Sequence, residues 1–347
     1  MFYCDPPGTT RPENLFNYGN ESIEDKYIIF HDQEPIHLDV HYDLFTTIDA
    51  SVQDLCEGSG ALFSGLVSSE FRSEAAKKVC DFYELNHYYY FFHGWAALDW
   101  YRGYDKTFLI SAPEDRKLKY SMINPNRIIG GKRDHRVILF YMMNQLGVKN
   151  SLTSFPQICP EEQSNILTIA QRFSKRYPDI VNILSEQNLP LDFPNESGHP
   201  MHSCWLSLFD LCEQSLLHVV TETVFFGKRN HLTEKTFKPI CLKMPFVLAS
   251  SANSLDYLHR YGFKTFSSIW DESYDDEQDD FVRLEKIAKL LKDIDDLSLK
   301  EQNQLHKHAI PIVEHNFNYF YGGEFERVLW DELSRMLQRM ENNFLFK

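Results

Sequence analysis

The feature that most limits the fold of this chain is the alternation of short apolar runs, rich in β-forming residues, with longer helical patterns. Six such runs stand out, at residues 27–30, 61–67, 88–92, 107–111, 217–223 and 245–249. Strands separated by helices are typical of parallel sheets built from βαβ units. We therefore expect an α/β fold.

The helical patterns lie in three regions. Residues 134–146 predict one helix, and residues 161–187 predict two helices broken near Pro178, because proline ends a helix. The last third of the chain carries two apolar faces at helical spacing. One is Phe281, Leu284, Ile287, Ala288, Leu291 and Ile294; the other is Phe325, Val328, Leu329, Leu333, Met336, Leu337 and Met340.

The length of 347 residues suggests two domains, since a domain spans roughly 100–200 residues. A polar stretch, residues 113–133, separates the first group of strands from the rest. We expect an N-terminal α/β domain over residues 1–118, a C-terminal α/β domain over 119–320, and a closing helix over 321–347.

Composition excludes several classes of protein. A formal net charge of −15 disfavours unspecific binding to nucleic acid or anionic lipid. No apolar segment approaches the roughly 20 residues that a membrane span needs, and the first twenty residues lack the apolar core of a secretory signal. Seven cysteines without a C-x-x-C pair argue against a disulfide framework or a zinc knuckle, so we expect a cytoplasmic protein.

The most informative segment joins the fifth run to a helix. The strand at 217–223 leads through a loop containing Gly227 and Lys228 to a helix that Thr233 would cap. Such a junction opens at the carboxyl edge of a parallel sheet, where free N–H groups attract an anion. Lys235 adds a positive charge, which predicts a diphosphate site, and Glu234 would accept hydrogen bonds from sugar hydroxyls. A plain cap with a surface Glu–Lys pair is the alternative.

A second segment, residues 124–136, gathers positive charge ahead of the helix predicted at 134–146. It holds Gly130 and Gly131 together with four basic residues. Glycine lets a backbone approach phosphate closely, and arginine binds phosphate oxygens in pairs. The segment therefore indicates phosphate binding, and a solvated basic loop is the alternative.

These motifs resemble a known family. Leu232-Thr-Glu-Lys-Thr-Phe-Lys-Pro-Ile240, then Met244-Pro-Phe-Val-Leu248, Leu255 to Leu258 and Gly262-Phe-Lys-Thr-Phe266, are similar to the donor-binding half of GT-B glycosyltransferases, closest to the fucosyltransferase/exostosin-like group. The pairs Asn126-Arg127 and His135-Arg136 resemble positions that open the second domain there. The likeness covers residues 120 to 275, about half the chain. Pro239 departs from the pattern.

The resemblance implies a fold, an activity and a set of ligands. The fold is of GT-B type, with two Rossmann-like domains facing a central cleft. The activity is transfer of a sugar from a nucleotide diphosphate-sugar to an acceptor hydroxyl, with inversion and without a metal or other cofactor. The acceptor is a glycan, a protein or a hydroxylated base in DNA. The implied donor-binding residues are Thr233, Glu234, Lys235, Arg127, Arg136 and Glu222.

The N-terminal half should supply the acceptor side. His31, Asp32 and Glu34 follow the strand at 27–30, again at a carboxyl edge. A carboxylate there could take the proton from the acceptor hydroxyl, and we favour Glu34 over Asp32 as this base. The alternative is that these residues cap the next helix.

The strand at 88–92 is followed by a similar pair of candidates. His93 and Trp95 come directly after it and could bind the acceptor, Trp95 by stacking on a sugar or base. The alternative is that the aromatic side chains belong to the core.

Two rival functions stay open. His37, Asp39, His41 and Asp43 alternate with apolar residues, so one face of a strand could bind a divalent metal and serve a hydrolase. The alternative for this face is simple exposure to water. The other rival is a non-catalytic protein that binds a nucleotide or a glycan.

Overall fold

The computed structural model describes residues 2–5, 26–31, 35–36, 62–103, 111–130, 132–159, 163–193 and 206–345. The fold is mixed α/β and contains two four-stranded sheets in which every paired strand is parallel. The α/β class expected from the alternation of strands and helices is confirmed at this level.

The chain divides into two compact units. Unit 1 comprises Met1–Ala96, Lys228–His231 and Glu326–Lys347, and unit 2 comprises Ala97–Gly227 and Leu232–Phe325. The domain boundaries expected from the sequence, at 1–118, 119–320 and 321–347, remain a prediction that is separate from these two units.

Unit 1 is built on the first sheet, whose strands lie in chain order. They are β1 (Phe2–Asp5), β2 (Lys26–His31), β3 (Leu62–Ser68) and β4 (Asn86–Tyr89). Its helices include α1 (Glu74–Phe82), begun by Ser73, whose hydroxyl accepts from the N–H of Ala76. The other helices of this region are α2 (Phe92–Tyr101) and α11 (Glu324–Leu345).

Two apolar clusters cover opposite faces of this sheet. Leu66 packs with residues of α1, while its neighbour Val67 packs with Met336 and Met340 of α11. Successive side chains of a strand point to opposite faces of the sheet, so the adjacent residues Leu66 and Val67 pack in different clusters. A run such as 61–67, in which apolar residues occupy neighbouring rather than alternate positions, is typical of a strand buried on both faces.

Unit 2 is built on the second sheet, with strand order β6-β5-β7-β8. The strands are β5 (Tyr120–Pro125), β6 (Ser151–Ser154), β7 (Ser215–Thr221) and β8 (Phe246–Ala249). The helices are α3 (Asp134–Gln145), α4 (Ile166–Gln171), α5 (Ile180–Ser185), α6 (Phe209–Glu213), α7 (Glu234–Cys241), α8 (Ser254–Arg260), α9 (Asp280–Asp295) and α10 (Leu299–Tyr321). A short 3-10 turn lies at Pro113–Asp115.

The polar connection expected at residues 113–133 is corrected by the structure, because it contains the central strand β5. Polar residues of this buried strand have partners: Oγ of Ser121 lies 2.6 Å from the carboxylate of Asp295 and 2.9 Å from the carbonyl oxygen of Asn150, and its single proton can be donated to either. Hydrogen-bonded polar groups can be buried at little cost. The polarity of the segment therefore did not exclude a strand.

A second correction concerns residues 88–92. Strand β4 ends at Tyr89, and Phe92 already begins α2. An apolar run of five residues does not distinguish a strand from the first turn of a buried helix.

The expected helices at 134–146, 281–294 and 325–340 correspond to α3, α9 and α11. The break near Pro178 lies between α4 and α5, as expected. No helix within the described ranges is long and apolar enough to cross a membrane.

Candidate functional site

The two central strands of the second sheet diverge in their connections. After β5 the chain passes through α3 to β6 on one side, and after β7 it passes through α7 to β8 on the other. A crevice at the carboxyl ends of two such strands is the usual ligand site of an open parallel sheet. The loops at this point lie in the two segments identified from the sequence: residues 124–136, and the stretch from the run at 217–223 to the helix that Thr233 caps.

Hydrogen bonds join the ends of these strands. The hydroxyl of Thr221, the last residue of β7, donates to Oδ1 of Asn126 over 2.8 Å. The backbone N–H of Asn126 donates to the carbonyl of Ser154, at the end of β6, over 3.1 Å. The ends of three neighbouring strands are therefore held in fixed register.

The first turn of α3 reinforces this arrangement with two buried side chains. Nη1 of Arg136 donates to the carbonyl of Ile128 and Nη2 to that of Thr221, each over 2.7 Å. Nε2 of His135 donates to the carbonyl of Glu222 over 3.1 Å. Burial, followed by the charge of Arg136, lowers the pKa of His135 well below its usual value, so the ring is neutral.

The fork of Arg136 thus binds carbonyl oxygens of both loops. Burial, with a smaller contribution from Arg133, lowers the pKa of Arg136 to about 9, which leaves the guanidinium charged at pH 7. The charge contributes to the electrostatic field at the strand ends. The two Nη groups of Arg136 hold the backbone there by donating to its carbonyl oxygens.

Glu222 follows β7 directly and is fully buried. Its Oε1 accepts from the N–H of Thr233 at 2.9 Å and the hydroxyl of Thr236 at 2.6 Å. Its Oε2 accepts from the hydroxyl of Thr233 at 2.6 Å and the N–H of Thr223 at 3.2 Å. A carboxylate has about four acceptor positions, and these four bonds occupy them. In this structure Glu222 fixes the start of α7.

Thr233 is the N-cap of α7, as expected, and its hydroxyl oxygen accepts from the N–H of Lys235. Nζ of Lys235 lies 2.8 Å from Oε1 of Glu234, and the lysine side chain remains 31% exposed, whereas Glu234 is buried. The cap and the Glu–Lys pair of the alternative interpretation are therefore both present. The helix start still carries the positive end of a dipole beside Lys235.

Arg127 lies two residues beyond the end of β5 and is exposed. No hydrogen bond or ion pair of its side chain occurs among the residues that the structure describes. Lys132, farther along the same loop, is exposed and has a positive φ of 66°. The predicted basic loop therefore presents charge to solvent, beside the buried Arg136.

The acceptor-side candidates in unit 1 lie at the carboxyl edge of the first sheet. His31 is the last residue of β2 and is buried. His93 lies in the first turn of α2, and its ring meets that of His231 edge to face, with centroids 4.8 Å apart. Trp95 packs against the cluster on the α11 side and contacts Trp330 at 4.9 Å.

His231 was not identified from the sequence as belonging with these residues. Residues 228–231, which continue the loop after β7, form part of unit 1. There Nη1 of Arg229 lies 2.9 Å from Oε1 of Glu70, and Asn230 exchanges both backbone hydrogen bonds with Phe71. These contacts join residues 228–231 to residues 70 and 71, which are far away in the sequence, so they are visible only in the folded structure.

Several candidates lie outside the described residues. They are Asp32 and Glu34, the proposed bases, and His37, Asp39, His41 and Asp43, the proposed metal face. Among the residues that are described, no group of three or more His, Cys, Asp or Glu could hold a metal ion.

Several residues that hold the candidate site together were not assigned to it from the sequence. Thr236, Thr221 and Asn126 were given no role in binding, although Thr236 and Asn126 lie in the quoted motifs, and the contacts of His135 were not predicted. The only local signal was the spacing of Thr233 and Thr236, which puts both hydroxyls in the first turn of one helix.

The chain was compared with known proteins. No family model matches it, and no curated protein matches it. Among solved structures, an α,α-trehalose 6-phosphate synthase from Burkholderia multivorans is similar at 13% sequence identity and a TM-score of 0.35, over 89% of this chain and 67% of that one.

Proposed function

We propose that this protein is a glycosyltransferase of the GT-B type that takes a sugar from a nucleotide diphosphate-sugar and transfers it to an acceptor hydroxyl. The proposal joins the motif resemblance, which favours the fucosyltransferase/exostosin-like group, to the geometry of unit 2. A cytoplasmic location, inferred from the cysteine pattern, is part of the same proposal.

The observation that carries the proposal is the position of α7. Its capped N-terminus begins beyond the carboxyl end of β7, at the point where the connections of β5 and β7 diverge. This is where parallel α/β sheets bind nucleotides, and the start of a helix favours the negative charge of phosphate.

The contacts divide the candidate residues into two roles. Lys235 and Arg127, which are accessible to solvent, would bind the diphosphate, and Glu234 would exchange its bond with Lys235 for donor hydroxyls. Arg136 and Glu222 would hold the two loops in place, since both Nη atoms of Arg136 and both carboxylate oxygens of Glu222 are engaged with protein groups.

The chemistry follows from these roles. The acceptor oxygen attacks the anomeric carbon, the bond from that carbon to the diphosphate oxygen breaks, and a base accepts the acceptor proton. The fixed positive groups stabilise the charge that grows on the departing diphosphate. Glu34 remains our proposed base, with Asp32 second, and His31, His93 and Trp95 remain proposed acceptor contacts. The inverting outcome also rests on the resemblance.

The test is release of nucleoside diphosphate from a panel of nucleotide diphosphate-sugars, with thermal shift as a measure of binding. Lys235→Ala should lower turnover at least about tenfold and weaken nucleotide binding, because a charge–phosphate contact contributes roughly 1.5–3 kcal/mol. Lys238→Ala, three residues along the same helix, is the control and should leave both unchanged.

Two results would decide against the proposal. Hydrolysis that is abolished by EDTA, with no sugar transfer to any acceptor, would favour a metal-dependent hydrolase. Nucleotide binding that depends on Lys235 without turnover of any sugar donor would favour a non-catalytic binding protein.

A further inference from the structure

A regular stripe of exposed side chains runs along α11. It consists of Arg327, Trp330, Ser334, Leu337 and Glu341, all of which are exposed. Trp330 is 52% exposed and Leu337 is 41% exposed, although both are large and apolar. The spacing alternates three and four residues, which is the a/d repeat through which one helix packs on another. We call these five residues the α11 stripe.

Another face of α11 is already buried. Phe325, Leu329, Met336 and Met340 are buried, and the last two pack against Tyr88 and Tyr90 of unit 1. At about 100° per residue the α11 stripe lies to one side of this buried face. The helix is therefore fixed in place, and the α11 stripe stays exposed on it, although the ring of Trp330 contacts that of Trp95 with centroids 4.9 Å apart.

The order of residues in the α11 stripe is self-complementary. Arg327 lies seven residues before Ser334 and Glu341 lies seven residues after it, so the ends of the stripe carry opposite charges at equal distances from its centre. Neither side chain has an ion-pair partner among the described residues. Ser334, at the centre, is small enough to let a second helix approach closely.

We propose that the α11 stripe is the interface through which two copies of this chain form a dimer, with their α11 helices antiparallel and crossing at Ser334. A two-fold axis through that residue places Arg327 opposite Glu341 of the partner subunit, and Glu341 opposite Arg327 of the partner subunit. Each Trp330 then packs beside Leu337 of the partner subunit. At about 1.5 Å per residue the two ion pairs lie roughly 21 Å apart.

The charges favour a second copy over an unrelated partner. A two-fold interface requires one surface to complement itself, and a stripe with its positive end and negative end equidistant from a small central residue meets that requirement. The order of the charges also selects the antiparallel arrangement, since a parallel pair would set Arg327 against Arg327 and Glu341 against Glu341. This inference does not depend on the proposed enzymatic activity.

The experiment is analytical ultracentrifugation of the full chain over a concentration series. Leu337→Glu should shift the protein to monomer, because it buries a charge at the seam. Leu146→Glu is the matched control, since Leu146 is equally exposed at 42% but lies after α3; it should leave the dimer unchanged. Circular dichroism and a melting curve establish that each variant is folded.

Charge reversal tests the antiparallel pairing itself. Arg327→Glu and Glu341→Arg should each raise the dimer dissociation constant at least about tenfold, and the double variant should return it to within about threefold of the original. A chain that stays monomeric at every concentration overturns the proposal. A dimer that survives Leu337→Glu, or a double variant that dimerises no better than the single ones, overturns it as well.

Discussion

The carboxylate of Glu222 accepts a hydrogen bond of 2.6 Å from the hydroxyl of Thr236, and so connects the end of strand β7 to the second half of the first turn of α7. The same carboxylate binds the N–H and hydroxyl of Thr233. The N-terminus of α7 is therefore held by an anchor on the sheet, and the position of any ligand at this helix start depends on that anchor.

Glu222→Gln should destabilise unit 2. The carboxamide has an NH₂ group where one carboxylate oxygen accepted hydrogen bonds, so one buried backbone N–H loses its acceptor and one threonine hydroxyl must turn round to accept. An unsatisfied buried group costs roughly 1–3 kcal/mol, and we expect a loss of about that size in the free energy of unfolding. Chemical denaturation measures it. Asp293→Asn, at an exposed position of α9, removes a carboxylate without such partners and should change stability by less than about 0.5 kcal/mol.

Arg136→Lys should also destabilise the protein, by about 3 kcal/mol, because an ammonium group cannot donate to the carbonyls of Ile128 and Thr221 with the fork of a guanidinium. Denaturant unfolding provides the measurement. Arg172→Lys serves as the control, since Arg172 is largely exposed and pairs with Asp134. Equal stability of the two variants would show that the buried fork contributes nothing.

Asp275 predicts a particular dependence of stability on pH. Its carboxylate accepts from the backbone N–H groups of Ser254 and Leu255, yet burial raises its pKa to about 7 from the ordinary 3.8. The folded form then keeps its proton where the unfolded chain has lost it. This contribution to stability is fully present below pH 3.8 and is lost as the pH rises to about 7.

Asp275→Asn, which does not titrate, isolates the effect. The unfolding free energy of the original protein minus that of the variant should fall by about 1.4 kcal/mol per pH unit between roughly pH 4 and 7. Urea titrations at three pH values measure it. Asp293→Asn, at an exposed position of α9, controls for the loss of one carboxylate, and a difference for Asp275→Asn that is independent of pH would contradict the prediction.

Two glycines with similar backbone angles should differ in their tolerance of a methyl group. Gly262 has a φ of +90°, and an added Cβ would clash with the hydroxyl oxygen of Tyr319. Gly227 has a φ of +85°, and no atom of the described residues lies within 4 Å of a Cβ added there. Gly227→Ala should lower the free energy of unfolding by only the roughly 1 kcal/mol that backbone strain costs. Gly262→Ala should lower it by at least about 1 kcal/mol more, because of the clash. Thermal unfolding distinguishes them, and equal melting temperatures would refute the steric argument.

The periodicity of the sequence predicted much of the fold, because burial imposes a period of two on strands and 3.6 on helices. It identified α9 through its apolar face and the start of α7 through Thr233. It failed for β5, where Ser121 is a buried polar residue whose partners, Asn150 and Asp295, come from distant segments. A single sequence does not show such partners.

The sequence indicated where the candidate site lies. It did not indicate which role each residue has there. Gly, Arg and Lys in loops after predicted strands indicate phosphate binding through local chemistry. Whether Glu222 faces a ligand or caps a helix depends on two threonines in α7, and whether Arg136 reaches solvent depends on the carbonyls around it. These are properties of the packed structure.

The four residues 228–231 have a consequence for any attempt to separate the two units. The chain passes between units at Ala96, at Gly227, at His231 and again at Phe325. A fragment cut at residues 97 and 325 would still carry Arg229, but without Glu70, its partner, and would expose a charge that is buried in the intact protein. No single cleavage yields both units whole, so independent expression of either would require the short excursion to be removed and its ends rejoined.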